Sequence, residues 1–494
     1  MADIAKPPAR GMAPSTPTAR SAVGLAAAIR RRELSATQVV EAHIAVLLRT
    51  GPQLNAVAAD SFAKARDQAR ALDQEIGEAA LRGRSLDFLA PLAGVPFTIT
   101  ESIAVRGMPN SAGVPARRDY RAPRSATVVK RLVDAGAIPL AVTNPSELNL
   151  WIESDNPLYG RTSNPYDHTR TAGGACGGEG AAVGCGGSPF GVGTDLAGSI
   201  RIPALFCGVF GHKPSPGLIP TTGIWPPPAD EAQRLCAIGP LARRAEDLLP
   251  LLQVMAGPDD LDPQVVAANL TEPSSVSLDG LRVTLVEDSS LRPLARELRD
   301  ARERAAGALA GAGADVRTIS LPSWRTAALP VLAALMHSGA PGTSIAAHLN
   351  GTGQPRAALP LLFGRGRHTL PARLAALLDT LPSSEGGRAR LQARAEHLVG
   401  ELLEAIGDGV LLHPAHPTLA PHHGRTYGRP WLLTPAAIFN LAGVPVTQVP
   451  LGLSRSGLPV GVQVAAAPFA DHVTIAIALE LEAVFGGWRP PAGG

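Results

Sequence analysis

Across 494 residues, 45% are hydrophobic, 18% charged and only 4% aromatic, a balance that suits a globular chain with a sizeable core and excludes a disordered one. The formal charge of +3, with no basic cluster interleaved with aromatics, excludes a nucleic-acid surface. No apolar run is long enough to span a bilayer, and residues 1–20, rich in Pro, Ala and Thr, hold no leader-like apolar core, which predicts a flexible tail on a cytoplasmic protein.

In chain order, Ser21 is placed to cap a first helix reaching about Arg32, and Ser35 with Gln38 forms a capping box ahead of Val39, Val40, Ile44 and Leu47. A strand is predicted over 95–100, then a helix over 126–135 capped by Ser125 and closed by Gly136, then a strand over 138–143. Helix alternating with strand indicates an α/β sheet. The stretch 173–198 is dense in Gly and small residues, which lets backbone approach backbone and aims amide groups into a site.

Beyond it come a strand over 280–287, a helix over 293–310 rich in Arg and Ala, and a strand over 315–321. The span 322–400, rich in Leu, Ala and Pro with breaks such as 350–354, predicts a helical insertion or cap that shapes a pocket. Strands over 444–453 and 458–465 read as a hairpin turning at 454–457, followed by a helix over 472–485. Residues 21–494 are expected to form one domain.

The most restrictive motif is Gly173-Gly174-Ala175-Cys176-Gly177-Gly178-Glu179-Gly180, followed by Gly193-Thr194-Asp195-Leu196-Ala197-Gly198-Ser199-Ile200-Arg201-Ile202-Pro203. Gly211-His212-Lys213-Pro214 and Gly461-Val462-Gln463-Val464 add to it. Together these segments resemble the amidase-signature family, most nearly its type-two-like fatty-acid amide hydrolase branch, over about 21–491. The resemblance implies a single large α/β/α domain around a twisted mixed β-sheet, without cofactor or metal, and by analogy a homodimer.

In that family a serine attacks the acyl carbon, a second serine in a cis peptide relays protons, and a lysine is the ultimate base. A serine hydroxyl needs such a base, and a lysine serves only if its surroundings depress its pKa. The resemblance puts the nucleophile at Ser199 and the oxyanion hole at the amides of Leu196, Ala197, Gly198 and Ser199. It puts the relay serine where this chain has Ala175, followed by Cys176 in place of another serine, and the lysine where it has Thr100. Ala197 stands where the family often has Gly, so a positive φ there would be costly.

The lysines are Lys6, Lys64, Lys130 and Lys213, none an evident replacement. Glu101 and Glu179 are acids that burial could turn into bases, although alternation along a strand sends Glu101 away from the side Thr100 takes. Cys176 has no cation beside it in sequence to activate it, and an inert buried thiol is the simpler reading. Cys185, Cys207 and Cys236 likewise read as free thiols. Ser199 could be a plain helix cap. His413, His416, His422 and His423, interleaved with Pro and without nearby carboxylates, read as loop residues and not as a zinc site, and no Gly-Lys-Ser follows the glycines to make a phosphate loop.

Three functions follow. The leading expectation is an enzyme that keeps the oxyanion hole but catalyses a non-hydrolytic step, such as cyclisation, rearrangement, elimination or addition, on a small apolar carbonyl or amide compound. The second is amide or ester hydrolysis by Ser199 with a substitute base. The third is a non-catalytic small-molecule-binding protein.

Overall fold

The computed structural model describes residues 16–228, 233–287, 293–327, 344–350, 368–379 and 384–492. Helix α1, Ala22–Arg30, starts at Ser21, whose hydroxyl accepts from Gly24 N, and α2, Ala36–Leu54, carries the full Ser35/Gln38 capping box. Each bond satisfies a donor the first helical turn leaves orphaned. Helix α3, Phe62–Leu81, packs against α2.

The remaining described helices are α4 (Thr127–Asp134), α5 (Gly177–Gly184), α6 (Arg201–Phe206), α7 (Leu248–Met255), α8 (Arg296–Gly311), α9 (Ile345–Leu349), α10 (Leu370–Leu378), α11 (Glu385–Ile406), α12 (Thr434–Leu441) and α13 (Asp471–Phe485). One expectation fails at α4. Its N-cap is Ala126, because the Ser125 hydroxyl is taken by the amide of Arg106.

The strands are β1 (Val57–Asp60), β2 (Pro96–Thr100), β3 (Ile138–Thr143), β4 (Asp155–Asn156), β5 (Gly160–Arg161), β6 (Phe190–Asp195), β7 (Phe210–Lys213), β8 (Ala237–Ala242), β9 (Arg282–Val286), β10 (Asp315–Ile319), β11 (Val410–His413), β12 (Val446–Leu453) and β13 (Pro459–Ala466). All but the short β4–β5 pair join one mixed sheet of 11 strands in the order β1-β3-β2-β6-β8-β7-β12-β13-β11-β9-β10. The β3-β2-β6 segment is parallel, as is β11-β9-β10, while the strands between them run antiparallel.

Most sheet strands are buried on both faces, which is why they read as nearly continuous apolar runs and not as alternation. On β13, Val460, Val462 and Val464 join the core with Ile475, Ile477, Ala478 and Leu481 of α13, while the intervening Gln463 reaches Arg201 of α6 on the other face. Helices therefore cover both sides of the sheet.

Two features were absent from the sequence reading. Within 173–198, Gly177–Gly184 forms helix α5 and Phe190–Asp195 forms strand β6, two regular elements that the sequence reading did not place. Its glycines serve close packing: a Cβ built on Gly191 would come within 1.7 Å of Glu179 Oε1. The span 322–400 is helical where described, in α9, α10 and α11, while 328–343, 351–367 and 380–383 lie outside the described residues. No described helix is long and apolar enough to cross a membrane.

Candidate active site

In a parallel sheet segment, ligands meet the loops that leave the carboxyl ends of the strands. Strands β2 and β6 are parallel neighbours, with Ile99 opposite Val192, so Thr100 and Asp195 end on the same edge of the sheet. The chain leaving β6 turns through Leu196, Ala197 and Gly198 to Ser199 and enters α6. Gly198 takes φ 104°, a conformation that favours glycine, whereas Ala197 stays out of the positive-φ region, so the cost expected at Ala197 does not arise.

Asp195 holds this turn. Its carboxylate accepts from Gly198 N at 2.7 Å and Ile200 N at 3.2 Å, from Arg201 Nε and Nη2 at 3.0 Å each, and from Asn440 Nδ2 at 2.9 Å. Arg201 Nη1 goes on to Ala436 O and Gln463 Oε1, both at 2.9 Å. Both ions are fully buried, an arrangement tolerable only because each is paired and saturated with hydrogen bonds. Burial pushes Asp195 up, but the Arg201 guanidinium and these bonds hold it below the usual carboxylate range.

The geometry revises the expected oxyanion hole. The Gly198 amide is spent on Asp195, while among the described residues the amides of Leu196, Ala197 and Ser199 donate to no protein group. Three donors on one turn can stabilise a developing oxyanion. Ser199 is 9% exposed, and no hydrogen bond joins its hydroxyl to any described residue. Its carbonyl accepts from Cys176 N at 3.3 Å, which brings the glycine segment against the turn.

The Gly174–Ala175 peptide bond is cis, as the resemblance implies for the relay position. Ala175 itself is buried, and its carbonyl accepts from Ser154 Oγ at 2.8 Å and Ser146 N at 3.0 Å. Cys176 Sγ accepts from Thr194 N at 3.3 Å and donates to Thr194 O at 3.4 Å. Burial pushes its thiol up to about 12, with the hydroxyl of Thr100 close enough to oppose the shift slightly. Such a thiol is not a nucleophile near neutral pH. Thr100 is fully buried at the end of β2, and its hydroxyl makes no hydrogen bond of regular geometry.

The two candidate acids are committed elsewhere. Glu101 Oε1 accepts from Ser111 N, Ser111 Oγ and Tyr159 OH, and Oε2 from Ala112 N, all within 2.8 Å. Burial raises its pKa against those bonds. Glu179, on α5, lies beneath β2, β3 and β6 and accepts from Thr98 Oγ1 and, at 2.7 Å, from Thr143 Oγ1. Burial raises it to about 8, so at neutral pH it is a neutral acid. Neither carboxyl bonds to Ser199. Lys213 is fully buried at the end of β7, its Nζ donating to Pro214 O at 2.9 Å, and burial followed by the Arg201 charge lowers it to about 7.

Among the described residues no group of His, Cys, Asp and Glu is arranged to hold a metal ion. His413 packs edge-on to Trp324, His416 to Phe206, and His422 and His423 meet the backbone at Thr169 and His168.

The family model described as Amidase matches residues 38–475. Fatty-acid amide hydrolase 2-A of Danio rerio is 40% identical over 488 residues, covering 95% of this chain and 90% of the relative. Fatty-acid amide hydrolase 2 of Homo sapiens is 38% identical over 485 residues, with the same coverage. Among solved structures, 6-aminohexanoate cyclic dimer hydrolase complexed with substrate superposes with a TM-score of 0.81 at 25% identity, covering 96% of this chain and 99% of that one.

Proposed function

The chain belongs to the amidase family, and from that premise we propose that it is an amide or ester hydrolase whose nucleophile is Ser199 and whose oxyanion hole is the amides of Leu196, Ala197 and Ser199. The observation that carries this reading is the turn 195–200. Asp195 and Arg201 hold it, and among the described residues three of its amides and the Ser199 hydroxyl are uncommitted. The hydrolases to which the chain is similar support this over the cyclisation or rearrangement expected first. In this reading Thr100 and Ala175 stand in place of the family's base and relay, so acylation is slow and favours substrates with good leaving groups.

The name of the fatty-acid amide hydrolases supports an apolar acyl group. In this reading helices α9 and α10 belong to a cap over the acyl site. A second reading, non-hydrolytic catalysis on the same oxyanion hole, is favoured by one observation: no titratable side chain among the described residues bonds to Ser199.

The test is exposure to a fluorophosphonate followed by intact-mass measurement, with the Thr100→Lys/Ala175→Ser variant as the control for probe access. An adduct on the natural protein that maps to Ser199 and is lost in Ser199→Ala is the expected result. An adduct on the double variant alone would reject hydrolysis through Ser199 and leave the second reading.

A further inference from the structure

Strand β3 leaves the sheet at Thr143, on the same edge as Thr100 and Asp195, since β3, β2 and β6 are parallel neighbours. Shortly beyond it Glu147 is buried, its Oε2 accepting from Thr369 N at 2.7 Å and its Oε1 lying 2.6 Å from His368 Nδ1. Thr369 is the N-cap of α10, so this carboxylate meets the helix where its orphaned donors and the positive end of its dipole lie. At the other end of α10, Asp379 Oδ2 accepts at 2.9 Å from the amide of Ile345, the first residue of α9. Ala346 and Leu349 of α9 pack with Ala372 and Ala376 of α10. The two helices form one unit, and Glu147 is a point of its attachment.

Short chains of hydrogen bonds lead from that attachment to the site. Ser146, next to Glu147, donates from its amide to Ala175 O at 3.0 Å, and Cys176 N donates to Ser199 O at 3.3 Å. On α9, His348 meets the Trp225 ring edge-on at 5.9 Å, and Trp225 N donates at 2.8 Å to the carbonyl of Ser102, just past Thr100. Both helices thus rest on segments tied to the carboxyl ends of β2 and β3, the edge that carries the turn to Ser199. Leu148 and Asn149, directly after Glu147, take φ 55° and 59°, a conformation that such residues keep only where their surroundings impose it. Leu148 N donates to Ala112 O at 2.9 Å, and its side chain packs in the same cluster as α9 and α10.

We propose that Glu147 is the positioning residue for acyl-chain selectivity: by fixing α10, and α9 through it, it sets the wall along which a long acyl chain lies when its carbonyl is at Ser199. This rests on the reading of Ser199 as the residue that meets the carbonyl carbon. Glu147 itself touches no reacting atom. Each methylene that the wall covers adds about fourfold to binding. When Glu147 is truncated, Thr369 N and His368 lose their acceptor and the unit shifts from its seat. A long chain then loses the covered methylenes, while a short one, which ends at the turn, loses nothing.

The experiment compares two fluorophosphonates, one bearing a methyl and one a dodecyl group, by their rates of adduct formation at Ser199 in the natural protein, Glu147→Ala and Glu147→Gln. Hydrogen exchange of the amides over 369–378 is measured on the same samples. In Glu147→Ala the dodecyl-to-methyl rate ratio should fall about tenfold or more, roughly what two covered methylenes contribute, with the methyl rate kept within about twofold. Exchange over 369–378 should quicken while that of β2 and β6 stays as it was. Glu147→Gln, whose amide can accept from Thr369 N and donate to His368 Nδ1, should recover most of both effects. Should Glu147→Ala fail to fold, His368→Ala, which removes one of the two bonds from the side of α10, is read in the same way.

Faster exchange with an unchanged ratio overturns the proposal, because Glu147 then anchors the helices without governing the chain. A lower ratio with unchanged exchange overturns it too, as does an equal fall for both probes or a Gln variant no better than Ala. Each of these leaves the hydrolase reading intact. If only the Thr100→Lys/Ala175→Ser protein takes the probes, hydrolysis by the natural protein is rejected, and the ratio measured with Glu147→Ala in that background decides on Glu147 separately. No adduct from either probe in either background overturns both.

Discussion

Replacing Glu179 by Gln isolates one buried proton. The carboxyl is fully buried, held among the described residues by the hydroxyls of Thr98 and Thr143, and burial raises it from 4.5 to about 8. A raised acid favours folding while protonated, so its contribution is complete below the unfolded value near 4.5 and is lost as pH rises through about 8. Between these limits the unfolded chain ionises and the folded chain does not. At about 1.4 kcal/mol per pH unit, the window spans about 5 kcal/mol, an upper figure for a single site.

Gln is nearly isosteric, can accept from one threonine and donate to the other, and does not titrate. Urea unfolding followed by tryptophan fluorescence, in the natural protein and in Glu179→Gln from pH 5 to pH 9, gives the difference directly. The variant should gain on the natural protein by a few kcal/mol as pH rises, with most of the change between pH 5 and pH 8. A difference that stays constant across the range would show that Glu179 is ionised in the folded state at neutral pH, and the argument from its burial would be wrong.

Asp195→Asn leaves Arg201 buried without its counter-charge and should cost about 3–5 kcal/mol, read as a fall in the urea midpoint, while also slowing any adduct at Ser199. Gly198→Ala forces an alanine to φ 104° with its Cβ 2.5 Å from that of Ala436; a cost of about 1–3 kcal/mol or more and loss of the Ser199 adduct are expected, read by thermal unfolding and intact mass. Cys176, buried and with its thiol raised to about 12, should resist iodoacetamide at pH 8 in the folded protein and react fully once unfolded, which peptide mapping resolves.

Much of the fold was legible because local signals were strong. The capping box at Ser35 and Gln38 and the turn joining β12 to β13 rest on contacts a few residues apart, and the strands ending at Thr100 and Thr143 announce themselves as short apolar runs. Strand β6 was illegible because Gly191 and Gly193 suppress strand preference, and only the sheet places them. Ser125 looked like a cap until Arg106, distant in sequence, claimed its hydroxyl. At the site, the residue types and motif order were readable, but the support was not. Asn440 reaches Asp195 from a helix far along the chain, and nothing in the sequence around Asn440 marks it for that role. That Glu101 anchors Ser111 and Ala112, and Glu179 sits under the sheet, likewise follows from tertiary neighbours alone.

The buried pair of Asp195 and Arg201 has a consequence for substitution. It fixes the shape of the turn through contacts to α12 and β13 that involve neither position 100 nor position 175. On the function proposed above, recognition of a carbonyl and activation of a nucleophile are written in separate parts of the chain, so substitution at one leaves the other in place. The turn is a chassis whose shape is set without the side chains at positions 100 and 175.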